Sequence, residues 1–184
     1  MSDSQAAPGR LDLVREFLNT YDVMGDKDVL TSPDALAEWL SERSLIDASG
    51  RFDDRDLDRA LDFREALRGL LLANIGEDVD PAVVARLNAA AERARVVVRF
   101  SGDAATSLDP HGTGADRAIG ALLSIVYTSM AEGTWRRLKV CRDHDCQWAF
   151  YDHSKNRSGT WCTMAVCGNR NKARAYRKRQ AAEA

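Results

Sequence analysis

The spacing of apolar residues over residues 10–133 is mostly that of helices. Apolar residues recur every three or four positions in five segments, which begin near residues 10, 33, 54, 81 and 115. The second segment opens with Ser32-Pro33, a capping serine followed by a proline at the first helical position. Residues 95–100 are β-branched and predict a strand, with residues 106–108 as its partner. The residues expected to face the core in the last two helices include Val84, Leu87, Ala91 and Met130.

After residue 134 the pattern changes to short alternating runs. Trp135, Arg137 and Lys139 alternate with Arg136, Leu138 and Val140, which predicts a short strand that enters the first cysteine pair. After Cys146, Trp148 and Phe150 alternate with Gln147, Ala149 and Tyr151, which predicts a second short strand. A polar loop follows at residues 153–160, and the chain ends in a segment with helical composition. Tyr176 in that segment is expected to pack against Trp161 or Phe150.

All four cysteines of the chain lie in this C-terminal part, as Cys141-x4-Cys146-x15-Cys162-x4-Cys167. Two close pairs can supply four thiolates to one tetrahedral Zn²⁺ ion, and a site with four protein ligands is structural because no coordination position is open. His144 or His153 could replace one cysteine, and the alternative without metal is a set of buried free thiols. The predicted fold is mainly α with small β: a helical N-terminal domain with a β-hairpin, then a zinc-stabilised module of knuckle, hairpin and helix.

The charges are distributed unevenly along the chain. Residues 1–134 hold 14 basic and 24 acidic residues, whereas residues 135–184 hold 12 basic and 4 acidic residues. A basic C-terminal segment after an acidic domain indicates that the protein binds a polyanion through its C-terminal segment.

The residues around the cysteines resemble the CGNR zinc finger, a family named for the tetrapeptide found here at positions 167–170. The resemblance covers about residues 135–179. It includes Leu138-x-Val-Cys-x4-Cys-x-Trp-x-Phe-x-Asp-x-Ser-Lys-Asn and Trp161-Cys162-x-Met164-x-x-Cys167-Gly168-Asn169-Arg170-x-Lys172. The N-terminal part is similar to the helical ABATE domain, through the segments at residues 17–20, 32–40, 67–72 and 87–90.

The polar residues 1–9 predict a disordered leader, and the resemblance implies an ABATE-like domain at 10–133 and the zinc finger at 134–184. The resemblance also implies a bacterial, zinc-dependent, DNA-binding transcriptional regulator. The N-terminal domain would then sense a ligand or form a homodimer.

The predicted nucleic-acid contacts come from the finger. Arg170, Arg174, Arg177 and Lys178 fall within about 100° of one another on a helix, and this basic stripe could enter the major groove. Lys155 and Arg157 in the loop at residues 153–160 could bind phosphates. The full predicted set is Lys155, Arg157, Asn169, Arg170, Lys172, Arg174, Arg177 and Lys178. The alternatives are an RNA-binding module in which Trp148 or Tyr151 stacks on bases, a protein-interaction module, and a solvated basic tail.

The acidic domain has three candidate roles, which are ligand sensing, dimerisation and catalysis. Catalysis is disfavoured because the sequence has no glycine-rich phosphate loop and no nucleophile motif, so we expect no enzyme. A small-molecule effector would bind near Asn19, Trp39 and Arg64, which are polar or aromatic groups on otherwise apolar helices.

The expected location is the cytoplasm. The polar N-terminus does not resemble a signal peptide, and no apolar run reaches the roughly 18–20 residues of a membrane span. Paired cysteines in a reducing compartment indicate metal binding rather than disulfides.

Overall fold

The structure is a computed structural model that describes residues 5–46 and 51–182. The elements in chain order are α1 Leu11–Leu18, β1 Tyr21–Asp22, β2 Lys27–Asp28, α2 Pro33–Glu42, α3 Asp54–Leu70, α4 Pro81–Ala94, β3 Val96–Phe100, β4 Thr106–Pro110, α5 Ala115–Ala131, β5 Leu138–Val140, β6 Ala149–Tyr151 and α6 Asn169–Ala182. The strands form three antiparallel two-stranded sheets, β1-β2, β3-β4 and β5-β6. The predicted class, mainly α with small β, is confirmed.

Local capping signals set the starts of the helices. The Ser32 hydroxyl accepts a hydrogen bond from the Ala35 N–H, as expected for a serine that precedes a proline at the first helical position. Asp53 and Asp56 form a reciprocal capping box at the start of α3. The chain beyond α3 continues as a short 3-10 helix and stops at Gly76, whose φ of 81° is in the left-handed region.

The N-terminal core lies between α1, α3 and α5. Phe17, Phe63 and Leu122 are among its fully buried side chains, and Phe17 also contacts Trp39 of α2 with ring centroids 5.5 Å apart. α4 packs against α3 and α5. Aliphatic and aromatic burial of this kind supplies the main stabilising free energy of a helical domain.

Of the residues predicted to face inward from α4, Leu87 packs against the core, whereas the rest of the face is displaced by one residue. Val84 and Ala91 are exposed, and the helix instead buries Ala90 and Ala94. The reason is tertiary: Val83 packs onto Gly69 of α3, where an added Cβ would lie 2.9 Å from the valine methyl. Met130 of α5, also expected in the core, is exposed.

The β5-β6 hairpin belongs to the same hydrophobic core as the N-terminal helices. Leu138, Val140, Ala149 and Tyr151 are buried in one continuous cluster with Phe17 and its neighbours. The region predicted as a separate zinc module therefore shares its interior with the helical domain.

Side-chain hydrogen bonds also join the N-terminal helices to the β5-β6 region. The side chain of Asn19 donates to the Ala149 carbonyl and accepts from the Ala149 N–H, both at 2.8 Å. Asn74 donates to the carbonyls of Trp135 and Leu138 at 2.9 and 2.8 Å. Arg68 donates to the Gln147 carbonyl at 2.9 Å. The bonds to Ala149 and Leu138 pair backbone groups of the two strands, and the bonds to Trp135 and Gln147 pair carbonyls outside the strands.

The sequence predicted a disordered leader at residues 1–9. Residues 5–9 contact the folded protein, and residues 1–4 lie outside the described residues. Ala7 is buried, and its N–H donates to Asp12 at 2.7 Å. His153 contacts the Ala6 carbonyl at 2.8 Å, and Gln5 donates to the Cys162 carbonyl. This segment therefore joins the start of α1 to the finger.

Within the described residues, no helix is both long enough and apolar enough to cross a membrane.

Candidate metal centre and nucleic-acid interface

The four cysteines are delivered by three different local structures. Cys141 follows β5, and the turn at residues 141–146, which we call the knuckle, brings Cys146 back beside it. Cys162 lies before the final helix, and Cys167 lies in the short π-helical turn Met164–Gly168 that opens into α6. Thr163 precedes this turn at its N-cap position, but its side chain makes no capping hydrogen bond.

The geometry of the sulfurs fits one tetrahedral zinc ion. All four sulfurs lie within 4.8 Å of one another. Cys146 Sγ is 3.7 Å from Cys162 Sγ, which is 3.6 Å from Cys167 Sγ. Zinc–sulfur bonds of about 2.3 Å in a tetrahedron place sulfurs about 3.8 Å apart. His144 and His153, the alternative ligands, are outside this cluster.

The close packing of Cys141, Cys146 and Cys162 makes each thiol shift the protonation of the other two. Hydrogen bonds from Cys146 and Cys162 lower the pKa of the Cys141 thiol, and Cys141 in turn raises the pKa of both partners. Three of the four residues are buried, so water cannot screen the repulsion between several thiolates. A bound Zn²⁺ would neutralise this repulsion and provide a closed structural site with no position for substrate.

Asp143, in the knuckle, anchors the start of α6. Its carboxylate is fully buried and accepts hydrogen bonds from Arg170 Nε at 2.7 Å, Asn171 Nδ2 at 2.9 Å and Arg174 Nη1 at 3.3 Å. Burial alone would raise the pKa of Asp143, but the hydrogen bonds from Arg170 and from the Asp145 N–H hold it below its ordinary value. The knuckle and the helix are thus joined by one carboxylate.

Arg170 also reaches the metal ligands. Its Nη2 lies 3.3 Å from Cys167 Sγ, and its Nη1 contacts Met24 Sδ in the turn between β1 and β2. Gly168 permits the tight turn before it, because a Cβ at this position would collide with Met164 and lie 3.3 Å from Trp161 Cδ1.

A buried ion pair supports the loop at residues 153–160. Lys139 Nζ donates to Asp152 Oδ2 at 2.7 Å and to the Arg157 and Gly159 carbonyls at 2.7 and 3.1 Å. Burial raises the pKa of Asp152, but hydrogen bonds from Lys139, Ser154 and Gly159 outweigh it and hold the value at about 2. The buried Lys139 side chain therefore holds the loop that carries Lys155 and Arg157 in place.

The predicted basic stripe on α6 is divided by these contacts. Arg170 and Arg174 face the knuckle, and Arg174 also pairs with Asp145 at 2.6 Å. Arg177 and Lys178 lie beyond the knuckle and are exposed. The first half of the stripe is therefore engaged within the protein.

The opposite face of α6 is open to solvent. Asn169, Lys172, Tyr176 and Arg179 are exposed and fall within about 80° of one another on the helix. Tyr176 is 58% exposed, so its expected packing against Trp161 or Phe150 does not occur.

The aromatic residues proposed to stack on RNA are partly or fully buried. Tyr151 is buried, with its ring centroid 4.9 Å from that of His153. Trp148 is half-buried against the cysteine cluster. The exposed aromatic residue of the basic helix is Tyr176.

The three residues of the predicted effector pocket have structural partners. Asn19 binds Ala149, Trp39 packs on Phe17 beneath Arg43, and Arg64 pairs with Asp28 at 2.6 Å. A groove of about 690 Å³ lies elsewhere, between the start of α1, β4 and α5, and a basic cavity of about 220 Å³ lies beside Arg142 and Arg157. None of the three predicted residues lines either cavity.

Sequence reasoning missed Asp143 and Arg142. A carboxylate between two zinc-ligand positions of a strongly basic module was a signal for Asp143, since a buried acid needs a cationic partner. No local signal indicated Arg142, whose Nη2 donates to the Ile75 carbonyl at 2.8 Å and which lines the small cavity with residues of the loop.

Comparison with known families agrees with this arrangement. Residues 137–180 match the CGNR zinc finger, and residues 11–133 match ABATE, described as "Putative stress-induced transcription regulator". No curated protein matches the chain. The four cysteines at ligand distance and the zinc-finger match together support one structural zinc ion. Because the ABATE match covers about two thirds of the chain, the chain belongs to the ABATE family, and it carries a C-terminal CGNR zinc finger.

Proposed function

We propose that the protein is a bacterial, cytoplasmic transcriptional regulator that binds DNA through its zinc finger. Its zinc ion has a structural role, and the protein is not an enzyme. Both matched families are described as a zinc finger or a transcription regulator, which supports this proposal.

The charge balance of the finger carries the proposal. The three described carboxylates after residue 134 are all held in internal ion pairs: Asp143 with Arg170 and Arg174, Asp145 with Arg174, and Asp152 with Lys139. The remaining cations of residues 135–182 have no carboxylate partner within the described chain: Arg136, Arg137, Arg142, Lys155, Arg157, Lys172, Arg177, Lys178 and Arg179. Such a surface attracts phosphates.

We assign the DNA contacts to two parts of this surface. The outer face of α6 offers Asn169, Lys172 and Arg179, with Arg177 and Lys178 at its far end. The loop offers Lys155 and Arg157, and Arg142 adjoins Arg157 in the small basic cavity. The helix would enter the major groove while the loop and Arg142 hold the backbone.

Titration of labelled duplex DNA with the full-length, zinc-loaded protein at several salt concentrations tests the proposal. Four to six phosphate contacts predict a slope of log K against log salt of about −4 to −5. Lys172→Gln and Arg179→Gln should each reduce this slope by about one unit. Arg55→Gln, the same charge change at an exposed position of α3, should leave it unchanged.

Parallel titrations with duplex RNA and single strands separate the alternatives. Preference for duplex DNA supports the proposal, and preference for RNA replaces it with RNA binding. Salt-insensitive behaviour toward every nucleic acid would refute both and leave a protein-interaction role.

The N-terminal domain offers a separate surface for each of its two proposed roles. Ligand sensing would use the groove between the start of α1, β4 and α5, whose lining mixes Leu108 and Ile125 with Ser124 and Thr128. A shift in DNA affinity with an added metabolite fraction, abolished by Ser124→Trp, would identify this role.

Dimerisation would use the β3-β4 hairpin. Val98 and Phe100 are 58% and 79% exposed, and β3 pairs only with β4 in the described sheets. A second copy of β3 placed antiparallel and centred on Val98 would pair Val96 with Phe100 and Val98 with itself, both apolar pairs on one face, while Val97 would pair with Arg99 on the other face. Sedimentation analysis should show a dimer that Phe100→Glu converts to monomer, and a monomeric wild-type protein would exclude this role.

A further inference from the structure

The first arginine of α6 has a different environment from the other basic residues of that helix. Arg170 is held between a buried carboxylate and a cysteine sulfur: Nη2 lies 2.6 Å from Asp143 Oδ2 and 3.3 Å from Cys167 Sγ. Its side chain is 28% exposed, compared with 46% for that of Arg174, which contacts no sulfur within the described residues.

We propose that Arg170 is a positioning residue of the zinc centre rather than a reader of DNA bases. Its guanidinium donates an N–H···S hydrogen bond to the Cys167 thiolate and, through Asp143, fixes the knuckle that carries Cys141 and Cys146. One planar side chain thereby connects both halves of the ligand set.

The chemistry of the ligand set explains why a cation stands at this position. Four thiolates and one Zn²⁺ leave two negative charges in a largely buried site, and an N–H···S bond withdraws charge from one sulfur. The charge on Asp143 is in turn offset by Arg170 and Arg174, so the buried carboxylate does not add to the repulsion.

The fork shape of arginine adds a second bond to the carboxylate. Nη2 contacts both Asp143 and Cys167, and Nε donates a further hydrogen bond to Asp143 at 2.7 Å, which the single nitrogen of a lysine could not supply. Asn171 supplies a neutral second link, since its Nδ2 donates to both Asp143 and the Cys167 carbonyl. The helix start would therefore stay near the knuckle when Arg170 is replaced, which makes Arg170 variants suitable for a test.

The test compares Arg170→Gln and Arg170→Lys in the full-length protein with two matched controls. Arg174→Gln removes a partner of Asp143 without touching sulfur, and Arg177→Gln removes a cation one turn further along α6. Zinc affinity is measured by chelator competition. Outer-shell partners of metal ligands typically contribute 10–100-fold in affinity, so Arg170→Gln should weaken zinc binding by about that factor, Arg170→Lys by less, and Arg177→Gln not at all.

A spectroscopic measurement separates sulfur contact from a general structural role. In the Co²⁺-substituted protein, loss of the N–H···S bond makes the Cys167 thiolate more electron-rich and should move the sulfur-to-cobalt charge-transfer band to longer wavelength in both Arg170 variants. Arg174→Gln and Arg177→Gln should leave the band in place. An unchanged band in Arg170→Gln would overturn the proposal even if zinc binding weakened, because a purely structural role predicts that combination. Equal weakening of zinc binding by Arg177→Gln would also overturn it.

Discussion

Replacing Asn19 with alanine should destabilise the whole protein. This side chain forms the two hydrogen bonds to the Ala149 backbone that a neighbouring strand would otherwise form. The β5-β6 ladder leaves the Ala149 N–H and carbonyl pointing away from β5, and Asn19 bonds both at 2.8 Å. Ala149 is fully buried, so water cannot easily replace these bonds. An unpaired buried donor or acceptor costs about 1–3 kcal/mol. Asn19→Ala should therefore lower the free energy of unfolding by about 2–4 kcal/mol.

The assay is urea denaturation of the zinc-loaded protein, followed by far-UV circular dichroism and by tryptophan fluorescence. Circular dichroism reports mainly the N-terminal helices. Three of the four tryptophans, Trp135, Trp148 and Trp161, report the finger, so the fluorescence is measured in a Trp39→Phe background that removes the signal from α2. Because the core is continuous across both regions, the two signals should change together in the wild type and shift together in the variant.

Two further variants complete the comparison. Asn19→Asp keeps an acceptor for the Ala149 N–H but sets a carboxylate against the Ala149 carbonyl, so it should be at least as destabilising as Asn19→Ala. Asn88→Ala, at an exposed position of α4, should change stability by less than about 0.5 kcal/mol. A loss below that value in Asn19→Ala, or a finger that unfolds separately from the helices, would refute the reasoning.

Three other outcomes are expected. Metal analysis should find one zinc per chain, and Cys162→Ser should lower both zinc retention and the stability of the whole protein in urea, because metal binding contributes folding free energy; zinc retention equal to wild type would contradict the four-cysteine site. A 1–133 fragment should aggregate or lose cooperative unfolding because it lacks the core residues of β5 and β6, and a stable, monomeric fragment in size-exclusion chromatography would show that the core is not shared. Lys139→Met should cost about 3–5 kcal/mol by leaving Asp152 buried without its cation, measured by urea denaturation against Arg136→Met as an exposed control.

Local signals in the sequence were sufficient for the helix starts and the metal ligands. Ser32-Pro33 and Asp53 set the starts of α2 and α3 through bonds to N–H groups within three residues, so no distant contact was needed. The cysteine pairs were identified from their spacing and clustering alone, because the tetrahedral demand of zinc restricts which patterns can bind it. The family resemblance was confirmed over both regions.

Only the tertiary structure decided which partners the polar side chains have. Asn19 and Arg64 looked like pocket residues because a sequence does not show whether a polar group faces a cavity or another element, and both bind distant residues. Arg170 and Lys172 were both predicted to contact nucleic acid, although they lie on different faces of the helix. In the structure Asp143 of the knuckle binds Arg170, whereas Lys172 is exposed to solvent. This difference arises from a contact between residues 27 positions apart in the chain. The face of α4 was likewise set by Gly69 of α3 rather than by its own pattern. Local chemistry thus determined the elements and the metal site, and long-range packing determined the role of each polar residue around them.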